Sequence, residues 1–204
     1  MTIDKYGVQK TNMLSYQQIS FRLLGFIPLA LFVARLHNLI HINEIGHILW
    51  MCHISNLILA IALFSAWPFL AQISVPWLLF GLPLWFLNVT QMGIVGGVTS
   101  FGTHVGGLII GLIALSKMSY SKDMWICTVV WYLLVQQVCR MITPPELNVN
   151  IAHSVYLGWE AMFSGYWQYW LVTTISAAIF MWLIGVLFQK MFPQRIRGVY
   201  GCKS

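Results

Sequence analysis

Folding the apolar stretches of this chain into six helices brings all six histidines and all three glutamates to one end. They are His37, His41, Glu44, His47, His53, His104, Glu146, His153 and Glu160, whereas Asp4 and Asp123 fall at the opposite end. Imidazoles and carboxylates are the groups that move protons and hold metal ions. Such groups are costly in or beside hydrocarbon and need partners, so a one-sided gathering marks a working site.

The densest stretch is His37-Asn38-Leu39-Ile40-His41-Ile42-Asn43-Glu44-Ile45-Gly46-His47, followed by Cys52 and His53. On one helix, His37, His41 and Glu44 would share a face. Glu44 and His47 make a single E-x-x-H step, whereas di-iron carboxylate bundles use two on different helices. The competing account of His37 and His41 is a polar interfacial loop with solvated imidazoles. His53 lies about 9 Å deeper than His47 along a helix, with Cys52 at similar depth on an adjacent face. Asn56 is in reach of either. Helix–helix hydrogen bonding accounts for this trio, and so does a pocket opening to the outer leaflet.

A second segment, Thr103-His104-Val105-Gly106-Gly107-Leu108-Ile109-Ile110-Gly111, carries a G-x-x-x-G face at Gly107 and Gly111. That face admits a close neighbouring backbone, and it directs His104, one turn earlier, into the bundle. The third segment runs Arg140, Glu146, Asn148, Asn150, His153, Glu160. His153, Tyr156 and Glu160 share a helical face that Asn150 could join, which predicts an amphipathic capping helix in the loop over 143–166. Arg140 could pair with a glutamate, bind a lipid phosphate, or anchor the loop through a structural salt bridge.

The elements that must position these groups follow from composition. Only 8% of residues are charged, 59% are hydrophobic, and mean hydropathy is +0.76. Soluble domains carry roughly a quarter charged residues, so the expectation is an all-α integral membrane protein, a compact six-helix transmembrane bundle. The predicted helices are 19–36, 45–67, 75–91, 98–116, 124–141 and 167–188. Residues 1–18 form a polar, amphipathic cytoplasmic N-terminus, 19–188 the transmembrane domain, and 189–204 a basic cytoplasmic tail. Arg22 and Arg35 bracket the first helix and are expected to snorkel outward, and Pro28 to kink it.

With both termini cytoplasmic, Lys5, Lys10, Arg22, Lys117, Lys122, Lys190, Arg195, Arg197 and Lys203 all lie inside, which obeys the positive-inside rule and makes the histidine end extracytoplasmic. No cleavable signal peptide is expected. Short loops and compact size point to a bacterial inner membrane. The net charge of +6 sits in loops and tails beside anionic headgroups, so the expected partners are membrane lipids and a lipid-like substrate, not nucleic acid. Cys52, Cys127, Cys139 and Cys202 show no paired spacing, which argues against a disulfide framework.

Cys52-His53-Ile54-Ser55 in one helix and Thr103-His104-Val105-Gly106-Gly107 two helices later resemble the YwaF-type multi-pass membrane family, whose members include a vertebrate cysteine-dependent ether-phospholipid acyltransferase. The aromatic run Tyr166-Trp167-Gln168-Tyr169-Trp170 fits more loosely, and the resemblance spans about half the chain. It implies Cys52 as a nucleophile and His104 as its base. The additional histidines depart from that family and are of the kind that ligate metals.

Four functions stay open. One is a lipid-modifying transferase or hydrolase using Cys52, His104 and His53, with Asn56, Arg140 and Glu160 binding substrate. A second is a Zn or Fe metalloenzyme drawing ligands from His37, His41, Glu44, His47, His53, His104 and His153. A third is an electron carrier with haem b held axially by His53 and His104. The fourth is a transporter or non-catalytic binding subunit. The first two share one statement, chemistry between the second and fourth helices under the 143–166 loop.

Overall fold

The computed structural model describes residues 19–92, 97–118 and 120–193, and of residues 87–92 the backbone alone. The N-terminal segment 1–18, the glycine-rich residues 93–96 and most of the basic tail lie outside the described residues. Every regular element described is helical. In chain order they are α1 (Ile19–His41), α2 (Met51–Ser65), α3 (Pro68–Met92), α4 (Gly97–Lys117), α5 (Met124–Ile142) and α6 (Tyr166–Met191). All but α2 are long and apolar enough to cross a membrane, the makeup of an integral multi-pass membrane protein. At 15 residues, α2 is about 22 Å long against a hydrocarbon core of about 30 Å.

α1 loosens at Leu24-Gly25, where Gly25 N–H donates to the Arg22 carbonyl and Ile27 N–H to that of Leu24. Pro28, lacking an N–H, follows in the first turn of the regular helix, where proline is tolerated. A Cβ at Gly25 would meet the Phe64 ring of α2 at 2.9 Å, so glycine sets how closely α1 and α2 approach there. α1 stops after His41. Asn43 adopts a left-handed φ of 61°, and Glu44 N–H reaches back to the Leu39 carbonyl at 2.9 Å, the Schellman arrangement. His37 and His41 therefore share a face that Glu44 has left.

The second helix begins later than its hydropathy predicts. Ile45–Leu49 is a separate 3-10 turn, and Trp50 is extended (ψ 137°) before α2 starts at Met51. At the other end Ala66 is left-handed and Trp67 N–H donates to the Ala62 carbonyl at 2.9 Å. Pro68 then opens α3.

α2 packs between α1 and α3, and α4 closes against α3 and α1. Leu59, Leu63, Val75, Leu78 and Leu115 are fully buried between these helices. The G-x-x-x-G face is used as its spacing predicts: a Cβ at Gly111 would meet Val75 of α3, and one at Gly107 would collide with Asn56 of α2. α5 packs on α3 and α6, with Trp77 stacked on Tyr132 and its indole N–H donating to the Thr128 carbonyl at 3.1 Å.

The predicted capping helix over 143–166 does not form. Three 3-10 turns, Pro145–Leu147, Val149–Ile151 and Glu160–Met162, stand there instead. Positive φ at Asn148, Asn150, Ile151 and Gly158 interrupts the loop, and residues 152–159 run as bends and turns, so His153, Tyr156 and Glu160 share no helical face.

Candidate functional site

One buried polar cluster lies where the C-terminal part of α1, the N-terminal turn of α2, the later part of α3 and the first half of α4 meet. α4 supplies it through a π-helical segment, Gly102–Gly106. Gly107 N–H donates to the carbonyls of Gly102 and His104, which bypasses that of Thr103. The Asn56 amide of α2 takes up the bypassed group, its Nδ2 donating to Thr103 O at 2.9 Å and to Cys52 O at 2.8 Å. Asn56 thus ties the cysteine turn to the histidine turn, with its side chain against Gly107. Single π-turns concentrate at functional sites because they re-aim one side chain.

That side chain is His104, which is buried. Its Nδ1 lies 2.8 Å from the Ser100 carbonyl. A carbonyl only accepts, so Nδ1 carries the proton and Nε2 keeps a lone pair. Trp85 of α3 stacks on the ring at 5.0 Å and donates its indole N–H to the Ser100 hydroxyl at 2.9 Å. His53 meets it edge-on at 5.8 Å.

His53 is also buried. The Arg35 Nε donates to its Nε2 at 3.4 Å, which fixes the other proton on Nδ1. That N–H faces the Cys52 sulfur at 3.7 Å. Arg35 also donates to the Asn38 side-chain oxygen at 3.0 Å. The expectation that Arg35 snorkels outward is therefore corrected: it turns inward because His53 and Asn38 offer it acceptors there. Cys52 itself is only half-buried and faces Gly81 of α3. The result is a part-buried cysteine whose sulfur meets one buried imidazole, which a guanidinium holds from behind and a second buried imidazole meets edge-on.

The other predicted site residues are not drawn into this cluster. His37 and His41 form an exposed pair with ring nitrogens 3.0 Å apart. His47 accepts the Trp50 indole N–H at 3.4 Å. His153 meets the Thr143 hydroxyl at 3.2 Å. Glu44 and Glu146 are exposed, and Glu160 accepts the Gly158 N–H at 2.8 Å in its own turn. The Arg140 guanidinium lies over the rings of Tyr166 and Trp167, at 5.2 and 4.8 Å.

Asn150 is the loop's link to the site. Its side-chain oxygen accepts the Met51 N–H at 3.0 Å, and its Nδ2 donates to Leu49 O at 2.8 Å and meets the Cys139 sulfur at 3.3 Å. Its own carbonyl accepts from Gln136 at 3.0 Å, and Gln136 in turn accepts the Trp170 indole N–H at 2.7 Å. Sequence reasoning missed Trp85, Ser100 and the inward Arg35. The signal for Arg35 was available, since a guanidinium inside an apolar span marks a site by itself.

Among the described residues no group of three or more His, Cys, Asp or Glu side chains is disposed to hold a metal ion. Three of the four ring nitrogens of His53 and His104 are already engaged, and a structural or catalytic zinc site needs at least three protein ligands. Cys52, Cys127 and Cys139 are free thiols. Comparison with protein-family models, with curated proteins and with solved structures returned no match.

Proposed function

We propose that this chain is a membrane-embedded acyl-transfer or hydrolytic enzyme acting on a lipid ester, with Cys52 as nucleophile and His104 as the proton carrier. One observation supports this reading above the others. The Cys52 sulfur receives a hydrogen bond from an imidazole that a guanidinium holds from behind. Such a donor stabilises negative charge on sulfur, the nucleophilic form. His53 cannot also be the base while its remaining lone pair faces Arg35, which leaves His104 Nε2 as the imidazole nitrogen able to take a proton.

In the first half-reaction the sulfur attacks the ester carbonyl and the thiol proton goes to imidazole. The C–S bond forms, the C–O bond breaks, and the departing alkoxide takes the proton back. In the second, water or an acceptor hydroxyl attacks the thioester and gives up its proton, and the sulfur leaves as thiol. The six-span arrangement with the site at the extracytoplasmic face is part of the same proposal, supported by the charge distribution of the loops. So is the likeness to YwaF-type proteins, which rests on the Cys52 and His104 helices. Half-burial of Cys52 supports lateral access for a lipid.

Purified protein incubated with membrane phospholipids should accumulate an acyl adduct on Cys52 that hydroxylamine removes, read by intact-protein mass. Cys52→Ser should abolish turnover, and His104→Asn should slow it about 10²–10⁴-fold. Full turnover in Cys52→Ser overturns the reading.

A further inference from the structure

Arg35 is 6% exposed and follows an uninterrupted apolar run over residues 23–34 of α1. It lies six residues before the end of α1, so about 9 Å inside that end. A guanidinium has five N–H donors and a permanent charge. Among the described residues, Arg35 makes two hydrogen bonds, to the Asn38 side-chain oxygen and to the His53 imidazole. Both acceptors are neutral in the arrangement derived above.

The whole chain holds five acidic residues. Asp4 lies outside the described residues. Of the other four, Glu44, Asp123, Glu146 and Glu160, none forms an ion pair with Arg35. Glu44 acts on it only through space, as does Cys52. A buried charge with neutral partners is strongly disfavoured, and more so in hydrocarbon than in a soluble core.

The geometry points to Arg35 as the receptor for an oxyanion, the phosphate of a phospholipid headgroup drawn down to the α1–α2 junction. A guanidinium fork accepts phosphate oxygens through two parallel N–H bonds, and this fit is the reason arginine recurs wherever phosphate is bound. The Arg35 side chain lies on the far side of His53 from the Cys52 sulfur. The inference deepens the acyl-transfer reading, since it makes the substrate a phosphate-bearing lipid. The binding itself needs no chemistry at Cys52.

Thermal unfolding of delipidated protein in a non-ionic detergent tests the proposal. Phosphatidylglycerol should raise the melting temperature of wild type by about 5 °C near saturation and leave Arg35→Gln unmoved. Diacylglycerol with the same chains should move neither. Without lipid, Arg35→Gln should melt no lower than wild type, because it removes an unpaired buried charge. A shift with inorganic phosphate alone, absent in Arg35→Gln, also supports the oxyanion site and assigns its source to free phosphate. Equal lipid shifts in wild type and Arg35→Gln, or an equal shift with diacylglycerol, overturn it. If Arg35→Gln does not fold, Arg35→Lys gives the same comparison: it keeps the charge without the fork, and retention of the whole shift overturns the proposal. Running the series in Cys52→Ser as well separates failure of the binding site from failure of the cysteine mechanism.

Discussion

His47 lies in the 3-10 turn between α1 and α2, where its Nδ1 accepts the Trp50 indole N–H. Burial is the largest influence on this imidazole and lowers its pKa from 6.5; Glu44 pulls the other way and Arg35 adds to the lowering. The unfolded imidazole therefore takes a proton near pH 6.5 while the folded one resists. The stability it contributes is present above that pH and is lost as pH falls below it. Protonation of Nδ1 would also end its role as acceptor for Trp50. The melting temperature of wild type should decline between pH 7 and pH 5, and His47→Gln should decline less steeply. Parallel slopes in the two proteins would show that His47 does not carry the effect.

At the level of the element, helix ends decide which side chains reach the cluster. Ala66 occupies a left-handed position that glycine adopts at no steric cost. Ala66→Gly should stabilise the α2–α3 corner by about 0.5–1 kcal/mol, measured by thermal or denaturant unfolding in detergent. Several elements were legible from residue types alone. The apolar runs of α4 and α5 match their predicted bounds within a residue or two, because hydropathy over about 20 residues dominates any local preference. Gly107 and Gly111 face neighbouring helices as their spacing requires.

The features that shape the site were not legible, for identifiable reasons. Residue types placed Cys52 and His53 together in one candidate site, but neighbours on a helix project about 100° apart, so their direct contact at 3.7 Å was not legible. The π-turn at Gly102–Gly106 leaves no periodic trace, since glycines contribute no side chains to a pattern. Polar spacing over 150–160 imitates a helix, but the backbone turns left-handed at Asn148, Asn150, Ile151 and Gly158, and residues 152–159 run as bends and turns.

Across the whole molecule, the 143–166 loop and the α2 start are one polar unit joined through Asn150. Asn150→Ala would leave the Met51 N–H and the Leu49 carbonyl without their buried partner, at a cost of about 1–3 kcal/mol. It should lower the melting temperature and speed maleimide labelling of Cys52, because the turn carrying that residue loses its anchor. Unchanged labelling would place the role of Asn150 in the loop alone.

The Met51–Asn150 hydrogen bond spans 99 positions of the chain. During synthesis at about 5–20 residues per second, roughly 5–20 s separate the emergence of the two residues from the ribosome. For that interval the first turn of α2 lacks the group that caps it, and so lacks its finished geometry. Insertion of the early helices alone therefore leaves the turn that carries Cys52 without its loop anchor. On the cysteine mechanism proposed above, the nucleophile would stay unassembled until most of the polypeptide is made, and products of translation that stop short of Asn150 would be inert.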